Sequence, residues 1–64
     1  MKHKKQTQLI GEYLLTNKII HEYQFKDALY QQKQDYDLFG LILLKIGYIT
    51  EKQLITCLEQ LGIL

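Results

Sequence analysis

Arginine, proline and tryptophan are absent from this chain of 64 residues, and cysteine occurs once. Each absence excludes something. Without proline nothing interrupts a helix at a fixed position, which suits helices better than a turn-rich β protein. Without arginine the chain lacks the planar fork that grips a phosphate or a guanine edge with two parallel hydrogen bonds. A lone Cys57 excludes an internal disulfide framework and implies no oxidising compartment. No apolar run approaches the length of a membrane span. The start, Met1-Lys2-His3-Lys4-Lys5, has the charge of a signal peptide, but Gln6, Thr7, Gln8, Gly11 and Glu12 interrupt the apolar stretch such a peptide needs. The chain therefore reads as cytosolic and not membrane-spanning, with a flexible basic tail over residues 1–6.

Catalytic groups are equally scarce. The two histidines, His3 and His21, form no spacing with acids or Cys57 that would make a metal site or an activated nucleophile. There is no Gly-Lys-Ser/Thr phosphate loop. Neither an enzyme nor a metal protein is expected.

What is present is apolar content sufficient for a core, 47% of the residues, in a chain near the lower size limit for folding alone. Dimerisation or docking would help it. The net charge of +1 is uneven: Lys2, Lys4 and Lys5 crowd the amino end, while the remainder is mildly acidic.

The most informative presence is a repeat. Leu9-Ile10-Gly11-x-x-Leu14-Leu15 is answered 29 residues later by Leu38-Phe39-Gly40-x-x-Leu43-Leu44. Sliding residues 9–31 onto 38–60 gives nine identities in 23 pairs, where unrelated sequence would give about one or two. Ile10/Phe39, Phe25/Leu54 and Ala28/Cys57 keep their character, so Cys57 is expected as a small buried core residue.

Helical spacing marks the start of each copy, at Leu9, Ile10, Tyr13 and Leu14 and again at Phe39, Ile42, Leu43 and Ile46. Gly47 can supply the left-handed residue that ends a helix, and Thr50-Glu51-Lys52-Gln53 has the form of a capping box. In the first copy Asn17-Lys18 and His21-Glu22-Tyr23-Gln24 occupy those places. Asn17 tolerates the left-handed region but His21 is a mediocre cap, so the first turn should be the weaker. The second helices carry stripes at Phe25, Ala28 and Leu29 and at Leu54, Cys57, Leu58 and Leu61, which should meet in the core. The expected architecture is all-α: a small four-helix bundle of two tandem helix-turn-helix repeats related by a pseudo-twofold axis. Its helices fall near 7–17, 22–34, 37–46 and 51–61, and its domain spans 7–64. Gly11 and Gly40 each cost a helix about 1 kcal/mol. Two readings of them stay open: close packing of the repeated helices across the axis, or room for a ligand at the helix starts.

The doubled pattern resembles the amino-terminal domain of bacterial type II secretion and type IV pilus assembly ATPases, the GspE amino-terminal or MshEN type. The resemblance covers residues 9–64, with repeat one at 9–32, a spacer at 33–37 and repeat two at 38–61. It implies a bacterial protein, a partner in a secretion or pilus machine, and a place in the cytoplasm or against the inner membrane through that partner. Some members of the family bind cyclic di-GMP through arginine, glycine backbone, apolar pairs and glutamine. Carried onto this chain, that site would use Gly11, Leu14, Leu15, Gln32, Gly40, Leu43, Leu44 and Gly47. Leu9 and Leu38 stand at the two arginine positions, Lys18 at the first interior glycine and Leu61 at the second terminal glutamine.

Leucine can make neither of the charge-assisted bonds of an arginine, each contributing about 1.5–3 kcal/mol. The residues therefore favour a non-catalytic docking or regulatory module whose partner face comprises Leu9, Ile10, Leu38, Phe39 and Leu41. Tyrosines 13, 23, 30, 36 and 48 stand at its margin, and no cofactor is expected. A cyclic di-GMP receptor with a degenerate motif is the alternative. A helix-turn-helix nucleic-acid binder is weaker still, because residues 51–61 set only Lys52 against Glu51 and Glu59; no nucleic acid is expected.

Overall fold

The computed structural model describes residues 2–35 and 38–63, with side chains described over 6–33 and 38–63. Met1, Tyr36, Asp37 and Leu64 lie outside the described residues, and so do the margin role expected of Tyr36, the helix start expected at 37 and the end of the domain at 64. Four helices follow one another: α1 (Lys2–Thr16), α2 (Glu22–Asp35), α3 (Phe39–Lys45) and α4 (Glu51–Gln60). Among the described residues there is no strand, and the protein is an all-α four-helix bundle.

Helix α1 starts at Lys2 rather than at residue 7, so the backbone expected as a tail continues the helix. Helix α3, only seven residues long, is too short to persist alone. Packing holds it, since Phe39, Gly40, Ile42 and Leu43 are all buried.

Both apolar stripes enter one core, but not through direct contact of α2 with α4. α1 and α3 touch each other, and each of α2 and α4 packs on both of them, whereas among the described residues α2 and α4 do not meet. The stripes of α2 and α4 thus converge on the α1–α3 pair from separate sides. Exchanging the two hairpins leaves this scheme unchanged, the signature of a pseudo-twofold arrangement. Burial obeys it too. From Leu9/Leu38 to Lys33/Gly62 the aligned residues share the same degree of burial, except at Tyr13/Ile42, Phe25/Leu54, Asp27/Thr56 and Gln31/Gln60.

The core comprises Ile10, Leu14, Ile20 and Ala28 from the first copy and Phe39, Ile42, Leu43, Ile49, Leu54 and Cys57 from the second. Phe25 and Phe39 join the copies edge to face, with ring centroids 5.4 Å apart. Cys57 and its counterpart Ala28 are both fully buried, and desolvation pushes the Cys57 thiol above its ordinary value.

Turn chemistry repeats with equal fidelity. The amide of Lys18 donates to the Leu15 carbonyl and that of Ile19 to the Leu14 carbonyl; Gly47 and Tyr48 do the same toward Leu44 and Leu43. These are Schellman closures, and their left-handed residues are Lys18 (φ 58°) and Gly47 (φ 83°). Lys18, not Asn17, takes the strained position. The second turn then has its full capping box, Gln53 N donating to Thr50 Oγ1 and Thr50 N to Gln53 Oε1. The first keeps one half, His21 N donating to Gln24 Oε1 at 2.7 Å. An imidazole does not supply the returning bond, so the first turn has the poorer cap.

Candidate functional site

Neighbouring positions on a helix point about 100° apart, and that rotation splits the expected partner face. Leu9, Leu38 and Leu41 are 40%, 42% and 45% exposed, whereas Ile10 and Phe39 are buried. Ile10 and Phe39 must be removed from the face, because they turn inward to the α1–α3 centre, where Phe39 meets Phe25.

Two further aliphatic residues of the second hairpin are also exposed. Ile46 and Ile55 are exposed at 38% and 47%, on the same hairpin as Leu38 and Leu41. At the equivalent places the first hairpin has Leu9 for Leu38, Glu12 for Leu41, Asn17 for Ile46 and Lys26 for Ile55. One fold thus carries charge or amide at three solvent-facing positions in its first copy and aliphatic chains in its second. The alignment of the repeats held this signal, but only burial shows which aligned pairs face water.

Leu38 is the most unusual of them. It occupies the N-cap of α3 with extended backbone angles and makes no side-chain cap bond. Serine, threonine, aspartate or asparagine there would satisfy an amide and stabilise the helix by about 1 kcal/mol. A half-exposed leucine at this place therefore serves neither the cap nor the core.

The residues of the cyclic dinucleotide reading are differently placed. Leu14 and Leu43 are fully buried, and Leu15 and Leu44 are half-buried against the core. Gly11 and Gly40 are also buried. A β-carbon on Gly11 would run into the Phe25 ring, and one on Gly40 would lie 2.6 Å from Leu54 Cδ1. Phe25 and Leu54 are themselves aligned partners, so each bare backbone admits a side chain from the second helix of its own hairpin. The close packing at each glycine is within its own hairpin rather than across the axis.

Gln32 accepts a hydrogen bond from the Thr7 hydroxyl at 3.3 Å, linking α2 to α1. Gly47 is exposed with no side chain around its missing β-carbon. Since Lys18 adopts the same backbone form in the first turn, that position demands a left-handed residue for turn closure.

Among the described residues no group of three or more histidine, cysteine or acidic side chains is arranged to hold a metal ion. No helix among them is long and apolar enough to cross a membrane. Comparison of the chain with protein-family models, with curated proteins and with solved structures gives no significant match.

Proposed function

We propose that this protein is a non-catalytic docking module that engages a protein partner through the aliphatic surface of its second hairpin, Leu38, Leu41, Ile46 and Ile55, with Leu9 as the first hairpin's contribution. The observation that carries this reading is Leu38 itself: an uncapped, 42% exposed leucine where a small polar residue would make a more stable helix. The apolar character of Leu41, Ile46 and Ile55, exposed on the same hairpin, against polar residues at the equivalent places of the first copy supports the same reading.

The doubled glycine-leucine spacing supports a partner within a bacterial secretion or pilus machine, and hence a cytoplasmic place beside the inner membrane. The cyclic di-GMP alternative gains no support from burial, since Leu14, Leu43, Gly11 and Gly40 are enclosed by their own fold.

Co-purification with the assembly ATPase and platform proteins of the encoding cell tests the proposal, with the wild-type chain beside Leu38→Asp/Leu41→Glu. The variant should be at least as stable as wild type, because aspartate supplies the missing cap, yet it should lose the partner. Retention of the partner by the variant would overturn the docking face. Thermal stabilisation of wild type by excess cyclic di-GMP would overturn the choice between the two readings.

A further inference from the structure

The outer surface of α2 differs in kind from the leucine face and belongs to the other hairpin. Tyr23, Lys26, Tyr30 and Lys33 are all exposed, the two tyrosines at 66% and 61%. They follow one another at steps of three, four and three residues, so they fall within a sector of about 80° and run for about 15 Å along the helix. Tyr23 is steadied at its end of the row by His21, whose ring lies parallel to it at a centroid distance of 5.8 Å. Lys18, exposed in the preceding turn, adds a third cation close in sequence to that end.

The opposing charges near this row are few among the described side chains of α2. Glu22 is exposed in the first turn. Asp27 is half-buried and accepts the Tyr48 hydroxyl. The equivalent row of the second hairpin reads Lys52, Ile55, Glu59 and Gly62. The pseudo-symmetric counterpart therefore has neither the alternation nor the positive sign, and serves as an internal control.

The geometry points to α2 as a docking helix for an acidic amphipathic helix of a partner protein. A 3-4-3 row on one helix is the spacing at which a second helix meets it along a seam. The tyrosine rings offer wide apolar faces with low ordering cost, suited to leucine-type side chains of the partner. Lys26, one turn from both rings, and Lys33, one turn beyond Tyr30, call for glutamate or aspartate at the same spacing on the arriving helix. A parallel second copy of α2 would set lysine against lysine. A single nucleic-acid strand would want a groove of cations and not two lysines on a convex rod.

This inference stands on α2 alone and does not depend on the leucine face. It is tested by fluorescence anisotropy at low salt with a labelled synthetic helix carrying leucine and glutamate at 3-4 spacing. Arms with lysine in place of glutamate, with a short single-stranded DNA or RNA, and with anionic lipid vesicles run beside it. The glutamate peptide should bind best, and Tyr23→Ala and Tyr30→Ala should each weaken it about tenfold. Lys26→Glu/Lys33→Glu should exchange the preference, rejecting the glutamate peptide and accepting the lysine peptide. All four side chains are exposed, and circular dichroism would confirm that the variants keep the fold. Absence of binding, equal binding by the doubly reversed variant, or tighter capture of the nucleic acid or vesicles would overturn the assignment.

Discussion

The phenol of Tyr48 donates a 2.6 Å hydrogen bond to Asp27 Oδ2, tying the turn of the second hairpin to the second helix of the first. The pseudo-symmetric positions are occupied by Ile19 and Thr56, so no equivalent bond is available on the other side. The bond to Asp27 holds the Tyr48 phenol above its ordinary value of 10.0, with desolvation and the Asp27 charge acting in the same direction.

A raised folded value means that the protonated phenol is the form the fold favours. Its stabilisation is fully present below the unfolded value near 10.0 and is lost as pH rises through the higher folded value. Tyr48→Phe should therefore unfold at lower urea than wild type at neutral pH. The gap between the two should close in alkaline solution above pH 10.0, as followed by urea titrations across that range. A gap that persists unchanged would show that the loss does not come from the protonated hydroxyl's bond to Asp27.

Gly11 and Gly40 predict an inversion of ordinary helix propensity. Alanine in a helix interior should gain about 1 kcal/mol over glycine, yet Gly11→Ala forces its methyl into the Phe25 ring. The expected result is a net loss of about 1–3 kcal/mol in chemical denaturation. Gly40→Ala should lose less, because the obstacle there is the terminal Cδ1 of Leu54, which can rotate away. Phe25→Leu should partly rescue Gly11→Ala, and a double-mutant cycle would show the two changes to be non-additive.

Lys18 marks the simplest gain in stability. It takes φ 58° with the same closure bonds that Gly47 makes at φ 83°, and a side chain in that region costs roughly 1–2 kcal/mol. Lys18→Gly should raise stability by about 0.5–1 kcal/mol after the extra freedom of the unfolded chain is counted. Gly47→Ala should lower it by about 1 kcal/mol. Thermal melts of the two single variants would check both signs.

Much of the fold is legible in the chain alone. The left-handed residue at Gly47, the reciprocal box of Thr50 and Gln53, the poorer cap at His21 and the burial of Cys57 all come from chemistry local to a few residues. The exposure of the proposed partner face is legible only in part: Leu9, Leu38 and Leu41 are exposed, Ile10 and Phe39 are not, Ile46 follows the apolar spacing of α3 yet is exposed, and Ile55 falls outside the stripe of α4. Each difference comes from one cause. An apolar residue beside another apolar residue on a short helix can face inward or outward, and only the neighbouring helix decides.

By itself the sequence determined that there are two hairpins of one design, where each turns, and how the second turn is closed, since periodicity, caps and φ preference act over a handful of residues. The tertiary structure decided which helices touch, that α1 and α3 form the centre while α2 and α4 stay apart. It also decided that Phe25 and Leu54 pack against the bare backbones of Gly11 and Gly40, and that Tyr48 reaches Asp27. Those outcomes depend on contacts between residues far apart in the chain, chosen by how whole apolar faces exclude water together, and no local pattern encodes them.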